Sequence, residues 1–214
     1  MKMAALSTTS GVSVPTIKYY LREGLLEPGT PTGPNQADYR DDHVHRLRLI
    51  RALMDVGGLG VGAVRAVLDA TADPELSLHD LLGVAHQALG PPPDREPVPD
   101  DVVRARAEVD AFLEDLGWEI DGSHPARRAL ADALVALRRL GRDHPAQVFE
   151  PYAEVADHLA ARELQTIPSG SRVEAVEGAV VGTVVFEAAL VALRRLAQVR
   201  HSAARFAGAG EPIA

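Results

Sequence analysis

Apolar residues recur at steps of three and four along most of this chain, and glycine and proline cluster where they do not. Val14, Ile17, Leu21 and Leu25 give a short helix one apolar face. Ser13 precedes it as a predicted N-cap, and Pro15 falls in its first turn, where the missing N–H has no helical partner. Residues 3 to 9 make a helical turn or two ahead of it, and Gly11-Val12-Ser13 is a turn. From Glu27 to Ala37, with Pro28, Gly29, Pro31, Gly33 and Pro34, the chain reads as a loop or ragged hairpin kept at a sheet edge by its prolines. Asp41 or Asp42 then caps a helix predicted through Asp55, with Val44, Leu47, Ile50, Leu53 and Met54 as its apolar face. Gly57-Gly58-Leu59-Gly60 breaks it, and Val61 to Ala70 is a short amphipathic helix.

Beyond Pro74 the pattern is helical throughout. Leu76 to Leu89 is one helix, and Gly90 to Pro99 holds five prolines and reads as a linker. In Asp100 to Leu116, Val102, Ala105, Val109, Phe112 and Leu116 alternate steps of three and four, a spacing that permits a coiled-coil seam. His124-Pro125 opens a helix to Leu140, His144-Pro145 another to about Leu164, and Ser171 to Phe206 is a long final one. The predicted fold is all-α with a small β-hairpin wing. It divides into a winged helix-turn-helix at 1–72, a connecting helix and proline-rich linker at 73–99, and a helical bundle at 100–214.

Composition narrows the chemistry. With 46% hydrophobic and 24% charged residues, the chain is globular rather than disordered. It has no cysteine, which excludes disulfides, thiolate metal sites and thiol catalysis. No basic region leads into an apolar run at the start, so no secretory leader is expected. The longest apolar stretch, Gly178 to Leu193, contains Glu187 and is short for a membrane span. The net charge of −8 is unevenly spread, +1 over residues 1–70 and −9 over the rest, so the first part is free to meet phosphate. No nucleophile–base pair, phosphate-cradling glycine loop or metal motif is evident, and neither an enzyme nor a cofactor is expected.

Two short helices around a glycine turn make a helix-turn-helix, whose second helix presents its cap-bearing end and polar face to the major groove. "SVPTIKYYLREGLL" and, about fifteen residues later, "DYRDDHVHRLRLIRALMDVGGLGVGAVRAVL" resemble the DNA-binding domain of MerR-family transcriptional regulators. The resemblance covers roughly the first 70 residues. It implies that Lys18, Tyr19, Tyr20 and Arg22 lie at the DNA face, with Ser13 and Thr16 near the start of the recognition helix and Tyr39 in the wing; Arg40, one residue on, is the candidate substitute for the family's wing arginine. Two features depart from the family pattern. Pro15 stands where an arginine is common, and Asn35-Gln36-Ala37-Asp38-Tyr39 keeps only the last tyrosine of the usual wing motif. Of the adjacent tyrosines, Tyr20 is expected to pack inward and Tyr19 to meet phosphate, because neighbouring helical residues point about 100° apart. Arg46, Arg48 and Arg51 read as a solvated face or as further DNA contacts.

The helices after Pro125 loosely resemble TetR-type ligand-binding domains, which suggests a bundle with a cavity. Phe112, Trp118, Phe149, Tyr152 and Phe186 are the aromatics that would line it or fill core, and Glu187 is a carboxylate within an apolar helix that needs a partner. His124, His144, His158 and Asp157 lack ligand spacing and read as surface or capping groups, so no metal site is expected. The resemblance implies a cytoplasmic homodimer on double-stranded promoter DNA that acts on RNA polymerase indirectly, by distorting an over-long spacer, when a small organic effector binds. The dimer helix is expected in Asp100 to Leu116, with the final helices as the alternative. A rival reading makes the helical bundle a protein-interaction module of an effector-independent regulator or adaptor.

Overall fold

The computed structural model describes residues 1–34, 36–91, 97–168 and 172–206. Asn35 of the wing, residues 92–96 of the proline linker and Ser171 lie outside them. Within the described residues are nine α-helices and one two-stranded antiparallel hairpin, the predicted all-α fold with a small β wing. By its internal contacts the chain forms two units, Met1–Arg65 together with the chain from Val180 on, and Ala66–Ala179. The sequence reading divides the chain at residue 72. The contact-defined units meet at Arg65 and again inside the last helix.

In the first unit, α1 (Met3–Ser10) ends at Gly11, whose φ of 72° lets its N–H reach back to the Ser7 carbonyl at 3.0 Å. Helix α2 (Val14–Arg22) begins at Ser13, whose hydroxyl accepts from the Thr16 amide, with Pro15 in the first turn. Strands β1 (Thr30–Gly33) and β2 (Gln36–Asp38) pair Thr30 with Asp38 and Pro31 with Ala37, and the register shifts before Gly33. Both strands of a two-stranded ribbon are edge strands, where a proline such as Pro31 is tolerated. Helix α3 (Asp41–Arg51) begins after Arg40, not after either aspartate, and the His43 ring Nδ1 accepts the Arg40 amide at 3.1 Å. The predicted helix to Asp55 continues only as a π turn, Ala52–Val56. Leu6, Val12, Ile17, Leu25, Leu26, Leu47, Ile50 and Leu53 are fully buried, and those on the periodic rows face inward as their spacing predicts. Helix α4 (Val61–Ala72) follows.

The second unit continues with α5 (Leu78–Leu89), α6 (Asp100–Asp115), α7 (Pro125–Arg139), a 3-10 turn at Ala146–Phe149 and α8 (Glu150–Gln165). Ala105, Val109, Phe112 and Leu113 of α6 pack with Ala131, Leu134 and Val135 of α7. The expectation that Asp100 to Leu116 pairs with a second copy is therefore corrected, because its seam is filled by α7 of the same chain. Arg138 joins the two helices by donating two hydrogen bonds to Glu108, one to each carboxylate oxygen, at 3.0 and 2.6 Å, and Arg127 donates two to the Oδ1 of Asp110, at 2.9 and 2.6 Å. His124 caps α7, its Nδ1 accepting the Ala126 amide. Only Ala153 of α8 is fully buried.

Helix α9 (Arg172–Phe206) begins in the second unit and ends with the first. Val180 and Val184 are buried, and Val184 lies so near Gly57 that a Cβ there would sit 2.6 Å from its Cγ1. From Phe186 onward nearly every side chain is exposed. The helix is long and apolar enough to cross a membrane, but Arg194, Arg195 and Gln198 interrupt its middle.

Candidate nucleic-acid interface

Helix α2 turns two faces to different surroundings. Ile17 and Tyr20 are buried, whereas Ser13, Lys18 and Arg22 are on the open side with Thr16 and Tyr19. The cap end is prepared for acceptors, since Ser13 and Thr16 hydroxyls bond each other at 2.7 Å next to backbone N–H groups that no helical carbonyl takes. The Arg22 guanidinium sits 5.4 Å over the Tyr19 ring and 3.9 Å from Glu23, and its side chain stays 71% exposed. Cations, a phenol and two hydroxyls on one open stripe are groups that position a protein on phosphates.

The wing stands beside this stripe. A groove of about 670 Å³ runs between α1, α2 and the hairpin, lined by Lys2, Val14, Lys18, Pro31, Gln36 and Tyr39 among others. Both lysines of the chain line it. Lys18 is exposed, while Lys2 bonds Thr32 at 2.6 Å and pairs with Asp38 at 3.2 Å. Lys2 thus ties the start of α1 to the wing, a role that its isolated position in the sequence does not reveal.

Two of the expected contact residues are not at the surface. Tyr20 is 4% exposed and Tyr39 6%, and burial raises both phenols above their ordinary value, leaving them neutral. Tyr20 packs its ring 5.8 Å from that of Tyr19. Tyr39 stacks edge-on against His43 at 5.2 Å, and its amide donates to the Met1 carbonyl at 2.8 Å. Tyr20 packs into the core, as the 100° step between neighbouring helical residues leads one to expect, while the hairpin's exit points Tyr39 under the wing rather than out of it. Arg40 is exposed but paired with Asp42 at 3.6 Å.

The arginines of α3 hold the motif together. Arg46 Nε donates to the Leu25 carbonyl at 2.6 Å, Arg48 donates to the Thr9 carbonyl at 3.3 Å, and Arg51 pairs with Asp55. Arg65 of α4 donates to the Glu23 carbonyl. Both helices of the helix-turn-helix thereby end on guanidinium groups, which supply donors to carbonyls that lack helical partners. Sequence spacing alone offers no signal for these long-range bonds.

The six residues expected at an effector cavity are divided between the two units. Phe112 is closed into the second unit's core, with Trp118 and Phe149 packed against it. Tyr152 is 60% exposed on α8. Phe186 and Glu187 lie exposed on the part of α9 that groups with the first unit. Glu187 is therefore solvated, and the expectation of a partnered carboxylate in an apolar environment is corrected.

Residues 1–71 match the family model for MerR HTH family regulatory proteins. The chain is 34% identical over 85 residues to heavy metal-dependent transcription regulator 2 of Rhizobium meliloti, 40% of this chain and 57% of that protein. It is 40% identical over 50 residues to a ZntR homolog, an HTH-type transcriptional regulator of Haemophilus influenzae, 23% of this chain and 37% of that one. The chain thus spans little more than half the length of the curated relatives it matches. A solved structure, that of the candidate transcriptional regulator SCO5550 from Streptomyces coelicolor A3(2), matches at 42% identity over the whole of both chains, with a TM-score of 0.71. Residues 1–71 are thus a MerR-family helix-turn-helix domain, and the chain as a whole is similar to a transcriptional regulator rather than to an enzyme.

Proposed function

We propose that this protein regulates transcription in the cytoplasm as a homodimer, with the open stripe of α2 on promoter DNA and the hairpin against the neighbouring backbone. The observation that carries the reading is the stripe itself: Ser13, Thr16, Lys18, Tyr19 and Arg22 share the outward side of a helix whose inward side is sealed. Arg40, exposed at the base of the wing, is the further candidate contact. One such helix covers little DNA, and twofold operators match twofold proteins.

The last helix supports the dimer. Val185, Ala189, Ala192, Leu196, Val199, Ala203 and Phe206 repeat at alternating steps of four and three on its mostly exposed half, a heptad seam that is half-buried at Val185 and exposed from Ala189 on. Two copies pairing along it bring two reading helices into one particle. Distortion of the promoter between them, favouring or opposing polymerase, follows from the family reading as a matter of DNA shape energy.

A second reading, regulation without a small effector, is favoured by one observation: within the second unit Phe112 is 3% exposed, and Trp118 and Phe149 pack against the same core, so these aromatics fill core. The metal named by the Rhizobium relative does not transfer through thiolates, since this chain has no cysteine. Thermal shift against cationic and apolar small molecules separates the readings, because a ligand of the native state raises the melting temperature. DNA binding itself is tested by gel shift on the region upstream of the protein's own coding sequence. A shift with two chains per site is expected, and none at low salt would overturn the proposal.

A further inference from the structure

Helix α9 carries a second apolar stripe beside its seam. Phe186, Leu190, Leu193, Ala197, Arg200 and Ala204 again step by four and three, and at 100° per residue this row lies roughly 110° around the helix from the first. All six are exposed. Five are apolar and one, Arg200, is charged.

Helix α8 has a matching row. Tyr152, Ala156, Leu159 and Glu163 step by four, three and four, and only Glu163 is charged. Tyr152 and Ala156 are exposed and Leu159 and Glu163 half-buried, so the row lacks full cover. Neither Glu163 nor Arg200 has an ion pair in its own chain among the described residues. The helices are also opposite in sign. Helix α8 holds Glu150, Glu154, Asp157 and Glu163 against Arg162, and α9 from Val180 on holds Arg194, Arg195, Arg200 and Arg205 against Glu187.

We infer that α8 of one copy lies parallel to α9 of a second copy, with Glu163 paired to the partner subunit's Arg200. Setting the two charges level places Tyr152 by Leu190, Ala156 by Leu193 and Leu159 by Ala197, so small residues meet large ones. The antiparallel setting runs Tyr152 past Phe206 and leaves Leu190 and Leu193 bare. A single chain cannot make the parallel contact with itself. It would put Gln165 level with Ser202, about 45 Å along α9 from Arg172. The connection from Gln165 to Arg172 spans about 25 Å at full extension. The occupant is therefore a second copy. Like-charged α9 helices that meet along the first seam gain acidic α8 neighbours on the second, which closes a four-helix arrangement.

This pairing rests on the homodimer proposed above, and the test separates the two. Sedimentation equilibrium is run on the wild type, Glu163→Arg, Arg200→Glu and the double variant. Each single reversal sets like charges together in an apolar interface and is expected to weaken the dimer by at least about tenfold, while the double variant returns to within about threefold of wild type. Because the chain has no cysteine, Leu159→Cys and Ala197→Cys made in separate chains and mixed should give a disulfide-linked dimer that neither variant forms alone. A wild type that stays monomeric overturns the homodimer. A dimeric wild type with unaffected single variants and no mixed crosslink overturns the α8–α9 pairing alone.

Discussion

Replacing Tyr20 with alanine separates the two tyrosines that the sequence sets side by side. Tyr20 is 4% exposed and lies in a core with Leu6, Ile17, Leu25 and Ile50, so the change removes an aromatic ring and leaves a cavity. Large aromatic truncations of this kind cost about 3–5 kcal/mol. That is a large share of the roughly 5–15 kcal/mol by which proteins are stable. For a chain of this length it lowers the melting temperature by roughly 6–20 °C, at about 2–4 °C per kcal/mol. Tyr19 is half-exposed, and its main neighbours are the Tyr20 ring and Arg22, so Tyr19→Ala should cost about 1 kcal/mol or less. The expected pattern is a crossed one. Tyr20→Ala melts early, while Tyr19→Ala melts near wild type yet binds promoter DNA more weakly. Far-UV circular dichroism on heating and fluorescence anisotropy at matched salt measure the two quantities. A Tyr20→Ala protein that melts like wild type, or a Tyr19→Ala protein that binds DNA unchanged, would refute the division of roles.

Gly57→Ala should destabilise the first unit by about 1–3 kcal/mol, because the new methyl meets Val184 and, at 2.7 Å, the Leu53 carbonyl; adding Val184→Ala should return part of the loss in urea unfolding. Arg46→Ala frees the Leu25 carbonyl just past the end of the recognition helix and should lower DNA affinity with little change in melting temperature, read by the same two assays. Acid should loosen the second unit through Glu108, whose carboxyl the Arg138 guanidinium holds below its ordinary 4.5. Its folded form binds fewer protons than the unfolded chain, so its stability contribution is complete above that value and is lost as pH falls through the lower folded one. Arg138→Ala should flatten that part of the acid unfolding curve.

Much of the first unit is legible in the sequence because each local signal there agrees with its neighbours. Ser13 caps, Pro15 tolerates the first turn, Gly11 takes a positive φ, and Ile17 buries at the spacing its periodicity announces. The wing is legible from its prolines and glycines. Contacts between distant positions are not legible in the same way. Nothing at Arg46 or Arg65 signals a backbone carbonyl twenty or more residues away, and Lys2 does not announce Thr32. In the helical remainder, periodicity says which residues face inward but not which helix they meet. The α6 row pairs with α7 in its own chain, whereas the α9 rows, written in the same pattern, are left open. Glu187 misleads for a related reason, since an apolar stretch implies a buried carboxylate only where the helix is covered.

The salt dependence of promoter binding, compared between wild type and Lys18→Ala/Arg22→Ala, tests the central claim most directly. The double substitution takes two phosphate-binding cations from each chain and four from the dimer, so the slope of log affinity against log salt should fall by about 3.6. From 50 to 200 mM salt, that difference amounts to roughly 150-fold in how much affinity each protein loses. Two parallel lines, with the variant binding as wild type does, would contradict the placing of α2 on DNA.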